Sequence, residues 1–109
     1  MKQSKPKKRK NGLAKEFFAD GSLSNTGKFV KGKKVGLWKF YLRNGNLRAS
    51  GRFLAGKCNG EFRWFRQDGL LWQIGNFKQG KKNGPWKIFD RKGKLLKSYV
   101  FKENKKIKR

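Results

Sequence analysis

The feature that most limits what this chain can fold into is a step of 24 residues. Gly12, Gly36, Gly60 and Gly84 keep that step, and so do Gly21, Gly45, Gly69 and Gly93. Leu23, Leu47, Leu71 and Leu95 repeat it, as do Phe29, Phe53, Phe77 and Phe101. Two further columns read Phe17, Tyr41, Phe65, Phe89 and Lys15, Lys39, Arg63, Lys87. The columns Gly27, Gly51, Gly75 and Gly32, Gly56, Gly80 fail only in the last copy, at Tyr99 and Asn104. A fixed period of this length means copies of one supersecondary unit, stacked so that neighbours complete each other's core. Helix is excluded as that unit, because each interior glycine would destabilise it by roughly 1 kcal/mol.

Each unit therefore reads as a β-hairpin. Asp20-Gly21, Asn44-Gly45 and Asp68-Gly69 predict two-residue turns, with Lys92-Gly93 as a weaker version. Lys31-Gly32-Lys33, Ala55-Gly56-Lys57 and Gln79-Gly80-Lys81 predict longer turns between units. The expected fold is all-β: an antiparallel meander of about eight short strands. The pattern Gly36-x-Trp38-x-x-Tyr41-x-x-x-Gly45-x-Leu47, followed by Phe53-x-x-Gly56-Lys57-x-x-Gly60, resembles a MORN-type repeat in its bacterial variant form. That resemblance spans residues 12–104. It implies an elongated, twisted single-layer sheet of four hairpins, a bacterial source, and a role in scaffolding or partner binding, with lipid contact in some members. The domain reading is a basic N-terminal arm over 1–10, the repeat sheet over 11–104 and a basic tail over 105–109.

Strand alternation sorts the columns onto two faces. One face takes Trp38, Phe62 and Trp86, then Phe40, Trp64 and Ile88, with the Leu23 and Phe29 columns and Gly27, Gly51 and Gly75. This is the predicted core. The other face takes Lys15, Lys39, Arg63 and Lys87 beside Phe17, Tyr41, Phe65 and Phe89, with Lys28, Arg43, Arg48 and Arg52 nearby. Equivalent residues in successive hairpins lie two strands apart, about 9–10 Å. Cations at that spacing can follow a phosphate backbone, and aromatics among them can stack on bases or simply half-bury the face.

The charge balance points the same way. Against 31 Lys+Arg the chain has 6 Asp+Glu, for a net +25, and residues 11–100 alone hold 20 basic and five acidic residues. Self-repulsion of that size destabilises a compact state, and a polyanion relieves it. Nucleic acid is the expected partner, held by Lys7, Lys8, Arg9, Lys10, Lys15, Lys39, Arg43, Arg48, Arg52, Arg63 and Lys87. An anionic membrane is the second expectation, although the arm lacks an amphipathic pattern. Leu70, Trp72, Ile74 and Leu96 make an apolar patch on the basic face and predict a protein contact. The free edges of a single-layer sheet predict a homodimer.

Catalysis is not expected. There is no histidine, so Ser-His and Cys-His pairs and the usual metal-ligand sets are missing, and no cofactor is implied. The carboxylates are scattered. Cys58, the single cysteine, reads as filler in an inter-repeat turn, with neighbouring lysines able to lower its pKa. One cysteine and no secretory or membrane-spanning apolar segment predict a reducing, cytoplasmic setting. The functional expectation is a non-enzymatic accessory protein that holds DNA or RNA by its backbone while docked on a larger protein or nucleoprotein. The hosts this implies are the ribosome, a DNA-processing complex or a nuclease system such as a CRISPR effector. The alternatives are a membrane-binding module and a protein-only adaptor or immunity partner of an acidic protein.

Overall fold

A computed structural model describes residues 10–107, which form one open antiparallel sheet. Its strands are β1 (Gly12–Phe17), β2 (Leu23–Val30), β3 (Lys33–Tyr41), β4 (Leu47–Leu54), β5 (Lys57–Phe65), β6 (Leu71–Lys78), β7 (Lys81–Lys82), β8 (Gly84–Phe89), β9 (Leu95–Lys102) and β10 (Lys105–Ile107). Neighbours in sequence are neighbours in the sheet, except that β7 and β8 both pair with β6. The molecule measures 60 × 32 × 23 Å, as a long single layer should. Ten strands replace the expected eight for two reasons. A break at Asn83, just before Pro85, splits into β7 and β8 what β3 and β5 form unbroken, and proline has no N–H for the ladder. The sheet also runs past residue 104, because β10 pairs with β9 through Lys105–Lys102, Lys106–Phe101 and Ile107–Val100.

The turns exchange the roles read from the sequence. The two-residue turns are the inter-unit ones: Lys31-Gly32, Ala55-Gly56, Gln79-Gly80 and Glu103-Asn104 all have both central residues at positive φ. That is the type I′ geometry, whose twist matches that of the flanking strands. The Asp-Gly and Asn-Gly sites are instead three-residue loops. At the first, Gly21 N–H donates to Phe18 O (2.9 Å) and Phe18 N–H to Ser22 O (2.8 Å), and only Gly21 (φ 91°) is left-handed. Phe17 consequently pairs with Leu23, after a bulge, while Lys15 pairs with Thr26. Directly paired residues share a face, so the Leu23 and Phe17 columns lie together and not on opposite faces as strand alternation predicts. The reason is that each bulge shifts the alternation by one residue. Ser24, Arg48, Trp72 and Leu96 are the extra residues at these four bulges.

The core lies on the predicted face. Trp38 is 0% exposed, and Phe29, Ala49, Phe62 and Trp86 are buried along the same face of the sheet. A single layer can bury a ring this deeply only if the ring lies down on the sheet. A Cβ built on Gly27 would fall 2.1 Å from the Trp38 ring, and the same holds for Gly51 under Phe62 and Gly75 under Trp86. The Trp38 indole N–H then reaches Lys28 O at 3.1 Å. Rings of neighbouring units meet edge to face, such as Phe29–Trp38 at 4.9 Å and Phe77–Trp86 at 5.4 Å, a geometry aromatic quadrupoles favour. At the last unit no further ring follows, and Tyr99 stands where the glycine would be. Its own side chain lies beside Phe101, 6.3 Å away, and ends the stack.

Candidate nucleic-acid interface

Register, not sequence spacing, decides whether the basic column forms a row. Lys15 pairs with Thr26, Thr26 with Lys39, Lys39 with Ser50, Ser50 with Arg63, Arg63 with Ile74, Ile74 with Lys87 and Lys87 with Ser98. One continuous line of paired residues thus crosses eight strands, with a cation on every second one. All four cations are exposed. The intervening Thr26 and Ser50 are half-buried, and Thr26 is tied by its hydroxyl to Ala14 O at 2.9 Å.

The row is not uniform. Arg63 Nε donates to Glu61 at 2.9 Å, so this one cation arrives partly neutralised. Among the described residues the other ion pairs are Lys10–Glu16 (3.5 Å) and Arg91–Asp68 (3.2 Å), which leave Lys15, Lys39 and Lys87 without an acidic partner. The carboxylates of Asp20 and Asp90 serve turns: Asp20 accepts from Ser22 Oγ (2.6 Å) and Ser22 N (2.9 Å). Those bonds, the hydroxyl's first, hold its carboxyl below the usual aspartate range.

Several expected site residues fall elsewhere. Lys10 lies on the aromatic face, its ammonium 5.0 Å from the Phe29 centroid. Arg43 sits in the second hairpin loop with its guanidinium 5.2 Å from the Phe18 ring. Arg52 is exposed opposite Leu37, on the row's own face but two residues along β4 from Ser50. Arg48, at its bulge, is 6.0 Å from Phe40. Lys7, Lys8 and Arg9 lie outside the described residues. Of the apolar patch, Ile74 falls within the cation row itself. Trp72 (41% exposed), by contrast, is the extra residue at the β6 bulge, where strand alternation breaks, and it turns to Arg66 instead of extending the row. Leu96 occupies the same position as Trp72 one unit on, and Leu70 belongs to the loop before β6.

A second set of cations escaped sequence reading. Lys34 lies 4.9 Å from the Trp38 ring, Lys82 5.0 Å from both Trp86 and Phe101, and Lys106 4.4 Å from Tyr99. With Lys10 they form a 24-residue column of ammonium groups over the aromatic stack, each contact contributing about 0.5–1 kcal/mol at exposed sites. The signal was the period itself, since these are the equivalents of Cys58. Part of the net charge is therefore structural. Cys58 is no turn residue: it lies in β5, opposite Phe53, and burial pushes its thiol above the usual cysteine range.

A further cluster was also missed. Arg66 Nη2 donates to Phe89 O at 3.0 Å, and its guanidinium is 5.9 Å from the Trp72 ring. Arg66 and Trp72 line a cleft of about 560 Å³ at the hairpin-loop end of the sheet, together with Phe65 and Arg91. Among the described residues no group of three or more His, Cys, Asp or Glu could hold a metal, and no helix is long and apolar enough to cross a membrane.

Residues 34–54 and 82–103 each match the family model of the MORN repeat variant, covering parts of the second and fourth units. No curated protein matched the chain.

Proposed function

We propose that this chain of MORN-type repeats is a backbone-binding protein for nucleic acid, which it holds along the row Lys15, Lys39, Arg63 and Lys87. The observation that supports the reading is the unbroken register joining those four positions across the sheet. Fixed to one layer, the cations stand about 9–10 Å apart. They meet phosphates without reading base edges, which gives affinity with little sequence preference. Such a binder acts as an accessory to a larger protein or nucleoprotein that supplies specificity.

Neutralised phosphates release counterions, so affinity should fall steeply with salt. Fluorescence anisotropy on labelled duplex DNA and RNA, titrated from low to moderate salt, tests this. The triple variant Lys15→Gln, Lys39→Gln, Lys87→Gln should keep its melting temperature, because these side chains are exposed. Its log K against log[salt] slope should be shallower by about 2–3, at roughly 0.9 for each phosphate that is no longer neutralised. Absence of binding at low salt, or a flat salt response, removes the proposal. Tighter binding to anionic vesicles than to nucleic acid would move the function to a membrane surface.

A further inference from the structure

The cleft beside Trp72 departs from the 24-residue rule, and that departure carries information. Positions equivalent to Trp72 hold Ser24, Arg48 and Leu96, and those equivalent to Arg66 hold Phe18, Leu42 and Asp90. Each of the other units closes its hairpin without a Trp–Arg pair, so the fold does not require one. Only the third unit sets an indole, 41% exposed, beside a guanidinium in a cleft. The volume, about 560 Å³, falls in the range of about 300–1,000 Å³ usual for small-ligand pockets.

The lining is chemically mixed. Leu42, Phe65 and Trp72 supply flat apolar surface, and Arg48, Arg66 and Arg91 supply charge. Arg91 is engaged by Asp68, whose other oxygen accepts from Leu70 N at 3.1 Å. Arg48 has no acidic partner among the described residues. Arg66 Nε is buried with no hydrogen-bond partner, although its Nη2 is satisfied by Phe89 O. Gln67 completes the lining with an amide that both donates and accepts.

From this we infer that the Trp72 cleft is a stacking site for one unpaired nucleobase of a single strand, with Arg48 holding the adjoining phosphate. This rests on the nucleic-acid reading above and deepens it. Phe65 follows Arg63 by two residues on β5, about 6.5–7 Å along the strand. Arg48 also reaches Phe40 on the aromatic face, so the cleft opens at the loop rim of the sheet. A single strand that leaves the row over this rim can place a base in it. A duplex keeps its bases stacked inside and gains nothing there. The protein thus prefers single strands by a contact that salt barely screens.

Short oligo-dT and a duplex of matched length, titrated against wild type, Trp72→Leu and Trp72→Phe over a salt series, test the inference. Trp72→Leu should weaken oligo-dT binding about 5- to 150-fold, the equivalent of one stacked base. Duplex affinity should stay within about twofold, and the salt slope should not change for either ligand. Trp72→Phe should retain part of the single-strand affinity and should lose most of the oligo-dT quenching of tryptophan fluorescence. Equal losses for both ligands by Trp72→Phe with an unaltered melting curve, or no loss for either, overturn the cleft while leaving backbone binding intact. If wild type binds neither ligand at low salt, the backbone reading and the cleft fail together.

Discussion

Gly27 is small because Trp38 occupies the space its side chain would need. The indole lies against the strand, seals itself from water and reaches Lys28 O with its N–H. Adding one methyl forces the most deeply buried ring off the sheet, so Gly27→Ala should cost about 3 kcal/mol, the upper end for overpacking. Denaturant melts with a midpoint like that of the wild type would refute this account of the core. The glycine column was legible from the period. So was its role, because a ring column stands opposite it in each unit. Tyr99 was legible only as an exception; that it caps the stack needed the position of the missing next ring. The aromatic-face lysines were equally periodic, but periodicity alone does not separate a solvated lysine from one held over an indole.

At the scale of the strand and its turn, the sequence pointed to the right residues and the wrong geometry. Asp-Gly suits both a type I′ pair and the end of a three-residue loop, since each needs a left-handed glycine. What separates them is the conformation of the residue before the glycine, and none of Asp20, Asn44 and Asp68 has a positive φ. The inter-unit turns force Lys31, Ala55, Gln79 and Glu103 to φ near 50°, which L-residues resist. A column of asparagines answers that cost: Asn11 Oδ1 accepts from Lys31 N (2.9 Å), Asn59 Oδ1 from Gln79 N (3.0 Å) and Asn83 Oδ1 from Glu103 N (3.2 Å). The second unit has Val35 in that position and keeps its turn, so the clamp adds stability without defining the fold. Asn59→Val should therefore fold normally and lose about 1 kcal/mol, the typical net value of one hydrogen bond. Thermal melts in which the variant matches wild type would show that the side chain contributes nothing to the turn.

Across the whole molecule, stability should follow the sum of units and the interfaces between them. Deleting residues 40–63 removes one full period and joins Lys39 to Trp64, which is the equivalent of Phe40. Trp38 keeps Gly27 beneath it, and Trp86 keeps Gly75. The shortened chain should fold cooperatively with a lower melting temperature, and its sheet should be shorter by two strand spacings, about 9–10 Å. It also loses Arg63 from the row, so its salt slope for duplex binding should be shallower by up to about one unit. An aggregated or unfolded product would mean the units are not interchangeable, and an unchanged slope would mean the row does not set affinity.

The sequence by itself determined the unit, its period, the face that becomes the core and the identity of the basic column, because each is a statement about spacing along one chain. Only the tertiary structure decided which turns are tight and that Lys15, Lys39, Arg63 and Lys87 share a single line of paired residues. It also decided that Glu61 holds Arg63 and that Trp72 meets Arg66 beside a cleft. The physical reason is that register and bulges accumulate across strands. A shift of one residue at any hairpin reverses which side chains share a face, and no local pattern records that sum.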